Sequence, residues 1–102
     1  MARHRVASVS ELQLDTVKAV VAAGQEICLG RCEDGFYAID DVCTHENFLL
    51  SGGEVVEDCE VECPQHGSRF NLKTGKVTGL PAVIPARTFP VTVEGSDVYV
   101  DL

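Results

Sequence analysis

An all-β fold of antiparallel sheets, closed into a small barrel or a sandwich, is what this 102-residue sequence predicts. Three observations carry that expectation. Turn signals recur at short intervals (Gly24, Asp34-Gly35, Gly52-Gly53, Glu57-Asp58, Thr74-Gly75, Gly79-Leu80-Pro81, Gly95-Ser96) and leave little room for helices of ordinary length. The segments between them are rich in β-branched and aromatic residues. Several of them alternate, as Val91 and Val93 do with Thr92 and Glu94, which is the period of a half-buried strand.

Taken in order, strands are expected at residues 3–9, 16–22, 26–32, 36–40, 54–57, 60–63, 69–72, 87–94 and 97–102. Residues 10–23 offer a competing helix, with Ser10 as cap and Leu12, Val17, Val20 and Val21 on one face. Val17, Val20 and Val21 are β-branched, and Gly24 then reverses the chain, so a short turn near residues 11–15 leading into a strand is preferred. The last two strands alternate on either side of Gly95-Ser96 and read as a terminal hairpin.

Length and charge narrow the function. The chain is long enough for one domain, residues 1–102, with a folded surface of roughly 5,600 Å². Sixteen acidic against eight basic residues give a net charge of -8, which disfavours nucleic acid and anionic membranes as partners. Apolar runs such as Ala82-Val83-Ile84 are far shorter than a membrane span of ~20 residues, and the basic start lacks the apolar stretch of a secretory signal. A soluble, cytoplasmic, monomeric protein is expected. In that setting the five cysteines point to metal or redox chemistry rather than a disulfide framework.

The chemistry is concentrated in Cys43-Thr44-His45 and Cys63-Pro64-Gln65-His66, two Cys/His pairs separated by 17 residues. A soft thiolate and a borderline imidazole on each of two tight loops suit a transition-metal centre. A zinc finger of the two-Cys, two-His kind draws its cysteines from one hairpin and its histidines from a helix, whereas here each loop supplies one of each. In this arrangement the sequence resembles the Rieske family. Cys-x-His followed by Cys-x-x-His is that family's cluster motif, and Cys63-Pro64-Gln65-His66-Gly67-Ser68-Arg69-Phe70 with Thr74-Gly75 is similar to its second loop and onward hairpin. Phe36-Tyr37-Ala38-Ile39-Asp40 is similar to the segment before the first loop, so the likeness spans most of the chain.

The resemblance implies a Rieske-like fold with a two-loop cluster-binding subdomain at about residues 41–72, inserted in the β base. It implies one 2Fe-2S cluster, with Cys43 and Cys63 on one iron and His45 and His66 on the other. Two thiolates and two neutral imidazoles leave such a site close to neutral when oxidised, so adding an electron is less repulsive than in an all-thiolate site and the potential rises. The imidazole N–H groups couple reduction to protonation at high pH. High-potential members carry an extra disulfide-forming Cys in each loop; Phe48 and Gln65 stand at those positions here, which implies the low-potential class, although Ser68 matches a hydroxyl donor of the high-potential group.

Among such proteins, a chain with neither a mononuclear-iron domain nor a membrane anchor resembles the ferredoxin component of a bacterial aromatic-ring-hydroxylating dioxygenase system. It would pass single electrons from a flavin-containing ferredoxin reductase to the terminal oxygenase, with no catalytic residue of its own. The alternatives are a small Rieske-type subunit of a nitrite-reductase-like enzyme, a zinc-stabilised binding module, and a Rieske domain cut from a longer oxygenase.

From Cys32 through Ser68 there is no Lys or Arg, while ten of the sixteen acids fall there. They would either steer a basic partner or serve as a solvated surface. Cys28, Cys32 and Cys59 are read as small core hydrophobes. Phe48, Leu49 and Leu50 either fill core or form an apolar docking patch. Residues 79–85 resemble the family's proline-containing third loop, which covers the cluster.

Overall fold

Among the described residues the alternating runs fold into eleven strands arranged as three antiparallel sheets, with no α-helix. The computed structural model describes residues 2–44, 48–64, 67–80 and 82–102. The first sheet has the order β1 (Arg3–Ser8), β11 (Asp97–Asp101), β10 (Val91–Glu94). The second has the order β2 (Thr16–Ala22), β3 (Gln25–Cys32), β4 (Gly35–Asp40), β9 (Thr88–Phe89). The third is a meander of β5 (Glu54–Val56), β6 (Glu60–Glu62), β7 (Arg69–Asn71) and β8 (Val77–Gly79).

The second sheet is the middle layer, and β3 shows why Ile27, Cys28 and Leu29 are apolar at successive positions. Ile27 and Leu29 pack with Val98, Val100 and Phe89 in a core shared with the first sheet. Cys28 and Cys32, pointing the other way by the two-residue period of a strand, join Val61, Phe70 and Leu72 in a core shared with the third. A strand covered on both faces carries apolar residues at successive positions, as parallel and central strands do. The accessible surface, 5450 Å², is close to the value expected from chain length.

Residues 10–23 form no helix. A single 3-10 turn at Val9–Glu11, in which Glu11 accepts the Ser8 backbone N–H at 3.0 Å, leads into β2. The structure departs from the expected strands in two places. The run 87–94 is divided at Pro90, which has no N–H to donate: Thr88–Phe89 pairs with β4, whereas Val91–Glu94 pairs with β11 in the other sheet. Residues 77–79, not expected as a strand, close the third sheet against β7.

Candidate metal centre

Two hairpin loops at one end of the third sheet carry the cysteines of the motif, and they close in the same way. Asp40 ends β4, Val42 and Leu49 form an isolated antiparallel bridge, and the Cys43 N–H donates to the Phe48 carbonyl at 2.8 Å. In the second loop, between β6 and β7, the Cys63 N–H donates to the Ser68 carbonyl at 2.7 Å. Each cysteine thus stands at the base of its loop and is tied to the residue five positions on. Gly67 has φ +76, a left-handed conformation that lets its N–H turn back to the Cys63 carbonyl at 3.2 Å.

Three contacts hold the loops beside each other. Gly53, just beyond the first loop, runs so close to the strand entering the second that a Cβ there would lie 1.8 Å from the Glu62 carbonyl oxygen. The segment at residues 82–86 spans both loops. The Thr44 hydroxyl donates to the Ile84 carbonyl at 2.6 Å, and the Ala82 N–H donates to Ser68 Oγ at 3.1 Å. Ser68 is fully buried, so this hydroxyl is part of the loop framework.

Beneath the first loop lies a carboxylate that the sequence did not single out. Asp41 is 1% exposed, and its two oxygens accept the Ser51 N–H and the Ser51 hydroxyl, each at 2.7 Å. Its carbonyl also accepts the Leu50 N–H at 2.6 Å, so Asp41 anchors the 3-10 turn Leu50–Gly52 to the start of the cysteine loop. The sequence signal is weak, an Asp two residues before a Cys with a Ser ten residues on. Cys28 is buried nearby; burial and then the charge of Asp41 push its thiol far above its ordinary value, which keeps it protonated.

Cys43 and Cys63 are both buried, and both belong to the core cluster shared by the second and third sheets. Neither takes part in the disulfide described below. Two shielded sulfur donors on matched hairpins fit the pair that one iron of a Rieske cluster takes. His45 and His66 lie outside the described residues.

Two readings of the sequence need correction. Cys32 and Cys59 are not merely small core residues: they form a disulfide, with Cα atoms 5.6 Å apart, between the end of β3 and the turn between β5 and β6. Their separation of 27 residues offers no local signal, since the contact depends on how the third sheet folds onto the second. Residues 48–50 also divide, with Leu50 fully buried but Phe48 and Leu49 exposed. The acidic segment, finally, is partly matched by bases from outside it, through Asp34–Lys73 at 2.6 Å, Asp40–Arg87 at 3.6 Å and Glu62–Arg69 at 3.8 Å.

Comparison with known proteins agrees with this geometry. Residues 2–90 match the family described as Rieske [2Fe-2S] domain. The ferredoxin subunit of 3-phenylpropionate/cinnamic acid dioxygenase from Shigella boydii is 54% identical over 67 residues, which is 66% of this chain and 63% of that protein. The chain thus spans less than two-thirds of the length of the curated relatives it matches. The ferredoxin of carbazole 1,9a-dioxygenase from Nocardioides aromaticivorans IC177 superimposes with a TM-score of 0.92 at 35% identity, over 98% of this chain and 97% of that one. A structure of reduced oxygenase with oxidised ferredoxin in carbazole 1,9a-dioxygenase gives a TM-score of 0.89 at 36% identity, over 96% of this chain and 91% of that one. Two buried cysteines on matched hairpins, a three-sheet architecture shared along the chain and the family match over residues 2–90 lead to one assignment: the chain belongs to the family of Rieske [2Fe-2S] domains, and a 2Fe-2S cluster of that type is its cofactor.

Proposed function

We propose that this protein is an electron carrier of an aromatic-ring-hydroxylating dioxygenase system, accepting single electrons from a flavin-containing ferredoxin reductase and delivering them to the terminal oxygenase. It works in the cytoplasm as a monomer with no catalytic residue of its own. The observation that carries the reading is the framework around Cys43 and Cys63: two matched loops, bridged by a third segment whose Val83 and Ile84 are exposed. The ferredoxin names of the relatives supply the physiological setting.

Cys43 and Cys63 are proposed as the ligands of one iron and His45 and His66 as those of the other, within a cluster-binding unit of residues 41–72 in a single domain of residues 1–102. When bound, such a cluster supplies a one-electron couple of raised potential. The chain's own residues exclude water from the sulfurs, hold the loops in register and present an apolar rim to the partner. Phe48 and Gln65, in place of a loop disulfide, place the protein in the low-potential class.

Iron and sulfide analysis with low-temperature EPR of the dithionite-reduced protein tests the centre. A rhombic signal with an average g below that of all-thiolate 2Fe-2S proteins is expected, and zinc in a silent sample would overturn the reading. His45→Cys and His66→Cys are each expected to lower the potential or abolish assembly. An unchanged potential would refute the ligand set. Transfer from a reductase to a terminal oxygenase, followed by rapid mixing, tests the carrier role; a reduced protein that no oxygenase of this class reoxidises would remove it.

A further inference from the structure

The disulfide lies apart from the cysteine loops, and its surroundings are chemically specific. Cys32 and Cys59 are buried as residues, yet both line a surface cavity of about 630 Å³. The rim carries Asp15, Glu33, Asp34, Glu57 and Asp58, with Lys73 as the one cation among the described residues that line it, and Lys73 is held by Asp34 at 2.6 Å. Cys59 has φ +62, a left-handed backbone that costs a side chain with a Cβ about 1 kcal/mol and that Gly or Asn accepts more readily. A cysteine at such a position is accounted for by its sulfur bond to Cys32.

We propose that the Cys32–Cys59 bond is a thiol–disulfide exchange site, open to neutral and cationic thiols and closed to anionic ones by its acidic rim. The bond joins the middle sheet to the third sheet, and Cys43 lies within the span it closes while Cys63 follows four residues after Cys59. A reagent thiolate attacks one sulfur, forming a mixed disulfide and releasing the other as a thiolate. A second reagent thiolate attacks the mixed disulfide and leaves as part of the oxidised reagent. The protein gains two electrons from the two reagent thiols and, after proton uptake, carries two thiols.

Charge selects the reagent because the cavity that Cys32 and Cys59 line is ringed by these carboxylates. Among the described lining residues carboxylates outnumber cations, so an approaching cation is concentrated there and an anion depleted, in a manner that salt screens. A reducing compartment would therefore open this bond by way of uncharged or positively charged dithiols, with anionic thiols the poorest agents.

The test uses the wild-type holoprotein under anaerobic conditions, exposed to cysteamine, 2-mercaptoethanol or 2-mercaptoethanesulfonate at equal thiolate concentration. Samples are trapped in acid, denatured and alkylated, and the peptides containing Cys32 and Cys59 are weighed. At low ionic strength cysteamine is expected to open the bond at least about tenfold faster than the sulfonate, with the neutral thiol between, and half-molar salt should reduce the ratio to about two. The variant E57Q/D58N, which alters exposed rim residues, should narrow the ratio at low salt. Equal rates for the three thiols would overturn the proposal. So would no opening in the folded protein while the urea-unfolded chain reacts, or cysteines found as thiols that cystamine does not oxidise.

Discussion

Replacing Asp41 by alanine strips the first cysteine loop of its internal anchor, and the structure says by how much. Asp41 is 1% exposed and accepts two hydrogen bonds from Ser51, one from the backbone N–H and one from the hydroxyl, both at 2.7 Å. A hydrogen bond to a charged group contributes about 1.5–3 kcal/mol. Ser51→Ala removes only the hydroxyl bond and should cost about that amount. Asp41→Ala removes both and should cost about 3–6 kcal/mol, a large share of the 5–15 kcal/mol typical of a domain. The double variant should be little worse than Asp41→Ala alone, because the hydroxyl has already lost its acceptor; the coupling energy of the cycle is then about 1.5–3 kcal/mol. Urea unfolding under anaerobic conditions, followed by far-UV circular dichroism and compared at one urea concentration, measures all four proteins. A coupling below about 0.5 kcal/mol, or an Asp41→Ala variant no less stable than Ser51→Ala, would refute the assignment of Asp41 as the anchor of this loop.

Three further outcomes follow from the packing. Gly53→Ala places a Cβ 1.8 Å from the Glu62 carbonyl, so the two backbones must part by about 1.6 Å to reach ordinary contact; iron content and the cluster's visible absorption are expected to fall, and wild-type values for both would show that the loops need no such close approach. The raised Cys28 thiol makes the folded protein hold a proton that the unfolded chain releases above about pH 9, so the contribution of this group to stability is constant below that pH and falls above it by up to ~1.4 kcal/mol per unit. Cys28→Ala should therefore lose about 2 kcal/mol less than wild type between pH 7 and 10.5, and parallel pH curves would contradict the burial of that thiol. Substituting both Cys32 and Cys59 by serine removes a cross-link over 27 residues, a loss of about 3.5 kcal/mol by chain entropy that denaturant midpoints of oxidised wild type and variant can check; equal midpoints would contradict it.

What the sequence disclosed, and what it withheld, follows from the range of the interactions. The strands of the first two sheets were legible because alternation, β-branching and glycine turns are local: β2 has the expected bounds, Thr16–Ala22, and the terminal hairpin lies at Gly95-Ser96. The division at Pro90 was legible in principle from a missing N–H, yet the choice of two different partner sheets is a tertiary matter. Cys43 and Cys63 stood out through their motif, and the structure brings both into one core. Their supports did not stand out. The Asp41–Ser51 pair, the Thr44 and Ala82 contacts and the Cys32–Cys59 bond join residues ten to forty positions apart, through side chains of ordinary type. Leu50 and its exposed neighbour Leu49 are the same residue type, and only the 3-10 turn decides which of them faces inward.

The double-sided strand β3 has a consequence for how the molecule comes apart. Ile27 and Leu29 belong to one core and Cys28 and Cys32 to the other, so the strand cannot leave either core without abandoning both. The region holding the cysteine loops therefore borrows cooperativity from the sheet farthest from it. Amide hydrogens of β3 should exchange only through global opening, while β8, three residues long and at the edge of its sheet, opens locally. Damage to the first sheet, remote from either sulfur, would then be felt as loss of the metal centre.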